Sequence, residues 1–270
     1  PRSLQDWHHP LKRTMTSDDP KIGIAGGAGP YAGLNLAQML LEETIAEQEQ
    51  DHLSTVLLST PEQIEDRTRF LLGEATVNPA HVLFRNVRDL ESLGASVVGL
   101  PCNTAHAAKI WSVLTRKLEQ SGCRVRLLDM IAETADFLRV ECPEVQTVGV
   151  LSTIGTWRAA FYPTLLEAQG YRVMVLEETQ QRELHEEALY HPKHGIKAQA
   201  HPVTTQARRV LLDGVRTLES QGAEAVILGC TEIPLGLPER RLGATYLVNP
   251  GRILARALIR EFQLERLRPW

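Results

Sequence analysis

A thirteen-residue segment occurs twice in this chain, and it constrains the possible folds more than any other feature. Leu90-Glu91-Ser92-Leu93-Gly94-Ala95-Ser96-Val97-Val98-Gly99-Leu100-Pro101-Cys102 aligns without a gap on Leu218-Glu219-Ser220-Gln221-Gly222-Ala223-Glu224-Ala225-Val226-Ile227-Leu228-Gly229-Cys230, 128 residues later, with eight positions identical. A weaker match sets Lys21-Ile22-Gly23-Ile24 against Thr147-Val148-Gly149-Val150 at an offset of 126. Two matches at nearly one offset predict two similar halves.

Short β-branched runs lie at Ile22–Ala25, Ser54–Ser59, Ser96–Leu100, Arg124–Leu128, Thr147–Leu151, Arg172–Leu176, Ala225–Leu228 and Thr245–Val248. Between most of them, apolar residues recur at helical spacing, as at Leu34, Ala37, Met39, Leu40 and Leu41. This alternation predicts mostly parallel sheets covered by helices. The expected fold is α/β: two similar α/β domains related by a pseudo-two-fold, with the active site in the interdomain cleft. The expected division gives residues 21–116 and 234–270 to the first domain and 117–233 to the second. Residues 1–20 are polar and lack the apolar core of a secretory signal, so they are expected to form a disordered leader outside the fold.

The repeat ends on a cysteine at the carboxyl end of a buried strand in each half. Open α/β sheets bind ligands there, so two halves facing each other bring Cys102 and Cys230 to one cleft. Asn103-Thr104 follow Cys102 and precede an apparent helix, His106–Leu118. A thiol before a helix N-terminus is expected to ionise more readily. A symmetric thiol pair suits removal of a proton from one face of a carbon and its return on the other. Backbone N–H groups with Asn103, Thr104 and Thr231 can stabilise the charge that develops on a substrate carboxylate. The plainer alternative is a pair of core cysteines placed alike by duplication. Cys123 and Cys142 read as small buried apolar residues.

Pro101-Cys102-Asn103-Thr104-Ala105-His106 and Gly229-Cys230-Thr231-Glu232 resemble the two signature motifs of the aspartate/glutamate racemase superfamily. Gly26–Pro30 resembles the glycine-rich first loop of its aspartate racemase branch, and the resemblance runs from Lys21 to about Arg260. It implies two α/β domains, a homodimer, and a racemase that needs neither pyridoxal phosphate nor metal. Through the matching segment Glu65-Asp66-Arg67-Thr68 it implies that Arg67 grips a substrate carboxylate, with Asp66 in support. Through Gly195-Ile196-Lys197-Ala198 it implies that Lys197 contacts the second carboxylate. Gly27 is expected to face the substrate, and His106 and Glu232 to support the cysteines. Glu232 stands where the glutamate branch carries His, which favours aspartate. Ala28 and Gly33 depart from the branch, which usually has Met and Thr there.

The expected function is cofactor-independent interconversion of L- and D-aspartate by two cysteines acting as two bases. Alternatives within the superfamily are racemases of glutamate, of broad specificity, of hydantoins or of β-substituted aspartate, and a maleate-isomerase-like enzyme. Arylmalonate decarboxylases keep one cysteine, which disfavours them. A non-enzymatic alternative is a retired dicarboxylate-binding sensor. A net charge of -4 gives no nucleic-acid footprint, and no apolar run is long enough for a membrane span, so a cytoplasmic location is expected. Gly27-x-Gly29-x-x-x-Gly33 has the wrong spacing for a dinucleotide loop. His185, His191, His194 and His201 crowd a polar stretch that reads as a solvated surface, as do Glu183, Glu186 and Glu187. No metal site is expected there.

Overall fold

The structure, a computed structural model, describes residues 19–270. The expected leader therefore lies outside the described residues, apart from its last two. Strands β1 (Lys21–Gly26), β2 (Thr55–Ser59), β3 (Ala95–Gly99) and β4 (Arg126–Leu128) form one parallel sheet in the order β2-β1-β3-β4. Strands β5 (Thr147–Ser152), β6 (Arg172–Val175), β7 (Ala225–Gly229), β8 (Arg241–Leu242) and β9 (Thr245–Val248) form a second, ordered β6-β5-β7-β9-β8. Only the β8–β9 pair is antiparallel. Leaving out the two-residue β8, the second sheet repeats the order of the first strand for strand. All eight expected strands are present.

The helices in the first part of the chain are α1 (Pro30–Glu43), α2 (Arg67–Leu72), α3 (Ala80–Ser92), α4 (Ala108–Gln120) and α5 (Met130–Glu141). They are followed by α6 (Ile154–Ala159), α7 (Phe161–Ala168), α8 (Glu178–Glu183), α9 (Thr205–Ser220), α10 (Ile233–Gly236) and α11 (Pro250–Gln263). Helices α3 and α9 carry the repeat into β3 and β7, and the identical residues from Leu90 to Ala95 and from Leu218 to Ala223 have matching structural tasks in the two halves. Gly94 and Gly222 end these helices at φ 89° and 97°, a left-handed conformation that L side chains resist. Ser92 and Ser220 each donate to the carbonyl three residues back, at 2.7 Å. Glu91 accepts from the Arg124 amide at 2.8 Å and Glu219 from the Thr245 hydroxyl at 2.9 Å, tying α3 to the approach to β4 and α9 to the start of β9.

Leu90 and Ala95 press on Gly23 of β1, just as Leu218 and Ala223 press on Gly149 of β5. A Cβ on Gly23 would lie 2.7 Å from Val98 Cγ2 and 2.9 Å from Ala95 Cβ; on Gly149 it would lie 3.0 Å from Leu218 Cδ1 and 3.2 Å from Ala223 Cβ. The central strand must therefore lack a side chain where the helix crosses it. Gly23→Ala is expected to lower stability by about 1–3 kcal/mol through overpacking. Chemical denaturation monitored by circular dichroism measures this, and an unchanged midpoint would show that the helix has room to retreat.

Sheet membership corrects the expected division of the chain. Arg126–Leu128, assigned to the second domain, pairs with β3, while Thr245–Val248, assigned to the first, pairs with β7. In each half, the chain leaving a cysteine-bearing strand crosses over and adds one more parallel strand to the same sheet, so the division falls one strand later than expected. The C-terminal α11 does return to the first half. Leu254 and Leu258 lie against Gly99 of β3, where a Cβ would come within 2.8 Å of Leu258 Cδ1. Arg256 meets the buried Glu43 of α1 at 2.6 Å, and Arg260 meets Glu133 of α5 at 2.9 Å. One apolar cluster joins Ile22, Ile24 and Val97 of the first sheet to Val148, Val150 and Ile227 of the second. The halves thus share a core. No helix among the described residues is long and apolar enough to cross a membrane.

Candidate active site

The carboxyl ends of β1, β3, β5 and β7 converge on one small cavity. Ala28 reaches it from β1, and Cys102, Asn103 and Thr104 from β3. Thr153 follows β5, and Cys230, Thr231 and Glu232 follow β7. Arg67 and Thr68 enter from the start of α2, and Tyr190 and Lys197 from the segment between α8 and α9. Both repeat cysteines line this cavity, each buried at 5–6% exposure. Its volume is about 10 Å³, room for roughly one water molecule. A dicarboxylic amino acid enters only if a wall moves.

The two cysteines have different neighbours. Cys230 Sγ donates to Glu232 Oε2 at 3.0 Å, and Lys197 Nζ meets Glu232 Oε1 at 3.2 Å. Burial and the adjacent Glu232 carboxylate push the Cys230 thiol well above its ordinary value, against the pull of Lys197. Burial opposes the Glu232 charge, but Lys197, the Cys230 thiol and Arg67 together hold this carboxyl below its usual range. Burial likewise opposes the Lys197 ammonium, but Glu232, Cys230 and Tyr190 together outweigh it. The described arrangement is a protonated thiol held by an ionised carboxylate, itself paired with an ammonium. At Cys230 this differs from the expected easily ionised thiol. The helix that follows Cys230, α10, is four residues long, too short for a substantial macrodipole. The expected helix His106–Leu118 is also divided: Asn103–His106 form a 3₁₀ turn, and α4 begins only after extended backbone at Ala107, ψ 136°.

On the Cys102 side, Arg67 donates to the carbonyls of Glu65, at 3.3 Å, and Ala28, rather than to a carboxylate. Burial opposes its charge, and Cys102, Asp66, Tyr190 and Glu232 more than offset that. Arg67 Nε and Asn103 Nδ2 are buried donors with no partner among the described residues. Asn103 is fixed by its other end, since Oδ1 accepts from Tyr162 Oη at 2.6 Å. Thr104 shares hydroxyl contacts with Thr153 at 3.2 Å and Thr156 at 2.9 Å. Thr231 donates across the halves to the Pro101 carbonyl at 3.3 Å.

Three expected site residues stand behind the cavity wall. His106 uses both ring nitrogens: Nε2 accepts from the Met130 amide at 3.3 Å, which leaves the proton on Nδ1 to donate to the Cys102 carbonyl at 2.9 Å. Burial keeps the ring neutral. It fixes the Cys102 backbone and has no nitrogen left to act as a base. Asp66 caps α2 by accepting from the Arg69 amide at 2.9 Å, and accepts from Tyr190 Oη at 3.2 Å. Gly27, expected to face the substrate, instead packs on the chain at Thr60, where a Cβ would approach the Thr60 amide nitrogen to 2.7 Å. The glycine the site requires is Gly29, because a side chain there would collide with Glu232 Oε1.

Thr68, Thr153, Tyr162 and Tyr190 were not anticipated. Extending the 126-residue offset places Thr153 opposite Gly27, a usable signal; the tyrosines left none. His185 is not solvated as expected. It packs on Tyr190 at 4.2 Å between ring centroids, accepts from the Ile154 amide at 3.4 Å, and burial lowers its pKa to about 4.

A family model described as Asp/Glu/Hydantoin racemase matches residues 26–258. The solved aspartate racemase of Picrophilus torridus is 26% identical, with 92% of this chain and 100% of that one covered and a TM-score of 0.72. A glutamate racemase of Francisella tularensis, solved with D-glutamate, shares the fold at 14% identity, covering 94% and 85% of the two chains, with a TM-score of 0.61. A glutamate racemase of Listeria monocytogenes is 27% identical over 146 residues, 54% of this chain. The match spans about half the length of that relative, 48%.

Proposed function

The chain belongs to the Asp/Glu/hydantoin racemase family, and from that premise we propose that it interconverts L- and D-aspartate by proton transfer between Cys102 and Cys230, without a cofactor. The observation that carries this reading is the placement of two repeat-related thiols, with two unpartnered buried donors, on one enclosed cavity. The charged wall residues include Arg67, Lys197 and Glu232, and the two cations suit a substrate that carries two carboxylates. Glu232 also favours aspartate, since the glutamate branch is read as having His there.

The Cys230–Glu232 hydrogen bond gives the cysteines different starting roles. Cys230 begins as the proton donor, so Cys102 as thiolate takes the α-proton from the face it meets. Arg67 Nε and Asn103 Nδ2 stabilise the charge that builds on the α-carboxylate. Cys230 then protonates the opposite face and is left as the thiolate, ready to act as base on the other enantiomer. The sulfur protonation states exchange, and the α-carbon inverts.

Glu232→Gln tests this assignment. The amide removes the negative charge that disfavours a Cys230 thiolate and frees the Lys197 charge to favour it. The Cys230 pKa therefore falls. For the enantiomer whose proton faces Cys230, the acidic limb of kcat/KM is expected to move to lower pH. An unmoved limb would take Glu232 out of control of this thiol.

Proton NMR of L-aspartate with the protein in D2O tests the function itself. Deuterium entering the α-position together with formation of D-aspartate is the expected result. Exchange with glutamate but not aspartate reassigns the substrate, and binding of either without exchange overturns the catalytic reading.

A further inference from the structure

We propose that Glu187, His191 and His194 form a binding site for a divalent transition-metal ion of zinc-like character, which clips down the segment carrying Tyr190 and Lys197. Each of the three offers a ligand atom, all within 4.8 Å of one another. Glu187 Oε2 and His194 Nε2 are already 3.1 Å apart. Ligand atoms bound about 2.0–2.2 Å from zinc lie no more than about 4.4 Å from each other, so small side-chain turns complete the set. Carboxylate with imidazole is a donor combination that suits zinc and its neighbours.

The surroundings orient these ligands. Gln206 Nε2 donates to Glu187 Oε2 at 3.3 Å, and the His194 carbonyl accepts from Thr204 Oγ1 at 2.8 Å. The His191 and His194 rings stack face to face, 3.4 Å between centroids and 14° from parallel. Each ring must turn to aim an in-plane lone pair at a shared ion. His191 Nδ1 accepts from the exposed Lys193 amide at 3.2 Å, a contact that a metal or a turn of the ring readily replaces.

The site closes a loop. Glu187 lies in the π-helical turn Leu184–Leu189, an irregularity often found at functional sites. The histidines lie on the turn that follows, which folds back so that the amides of Ile196 and Lys197 donate to Ala188 and Leu189 at 2.9 and 3.1 Å. Lys197 and Tyr190 wall the cavity, so a bound ion stiffens that wall from outside. Metal binding itself does not depend on which reaction the cavity performs.

The test is titration of the chelator-stripped full chain with Co2+, a spectroscopic substitute for zinc. One equivalent should bind, giving d–d absorption without a thiolate charge-transfer band. His191→Ala/His194→Ala should weaken binding at least about 100-fold. Glu187→Gln, a milder change that keeps an acceptor for Gln206, should weaken it about tenfold, and His8→Ala/His9→Ala should leave it unchanged. With zinc at about a hundred times its Kd, amide exchange at Ile196 and Lys197 should slow about 100-fold, because opening must first release the ion. A thiolate band, binding that survives the His191/His194 change, loss in the His8/His9 variant, no saturable binding, or unaltered exchange would each overturn the proposal.

Discussion

Replacing Cys102 with serine is expected to lower the racemisation rate by at least about 10³- to 10⁴-fold in both directions, and Cys230→Ser is expected to do the same. A positioned acid or base contributes about 10²- to 10⁴-fold, and inversion needs one of each. Neither change disturbs the fold much, because serine is close in size to cysteine. The two variants should nevertheless differ. In Cys230→Ser, the remaining thiol still meets one face of the α-carbon, so one enantiomer exchanges its α-proton with solvent and keeps its configuration. In Cys102→Ser, the other enantiomer does so. Single-enantiomer exchange in D2O, read by NMR with chiral analysis of the product, measures this. Racemisation above about a tenth of the wild-type rate in either variant is incompatible with two thiols acting on opposite faces.

The second large effect is expected at Arg67. Its guanidinium lies within the wall, held by the Ala28 and Glu65 carbonyls, with Nε buried and unpartnered. A carboxylate bound there gains a charge-assisted hydrogen bond in a site shielded from water. Removing one partner of such a pair costs about 2–5 kcal/mol. Arg67→Ala should therefore lower kcat/KM for aspartate by about 10²- to 10³-fold. Arg67→Lys should recover little, because an ammonium keeps the charge but cannot keep both carbonyl contacts and still present a donor at the Nε position. Steady-state kinetics on both variants, with circular dichroism to verify folding, provide the measurement. A kcat/KM within threefold of wild type for Arg67→Ala would remove Arg67 from substrate binding.

Much of this was legible before any coordinates. The eight strands, the matching halves and the two cysteines were read from local pattern, because strand formation and helix termination depend on a few adjacent residues. The expected division failed at β4 and β9, since nothing local says which sheet a strand joins after a crossover. The expected readiness of the thiols to ionise failed at Cys230 for a related reason. The sequence places Glu232 two residues away but does not show its carboxylate turning back onto the sulfur.

Leu90, Glu91, Ser92, Gly94 and Ala95, with their counterparts from Leu218 to Ala223, specify how a helix ends, crosses a glycine and enters the next strand. Those tasks involve near neighbours, so the sequence alone determined the paired architecture and the position of a cysteine at the end of each repeat. The polar surroundings of those cysteines were decided only by the tertiary structure. Asn103 is held by Tyr162, Thr104 by Thr153, Asp66 by Tyr190, and Thr231 by Pro101, partners separated by 49 to 130 residues. A buried polar group must find a hydrogen bond wherever the fold supplies one, and that partner can come from any part of the chain.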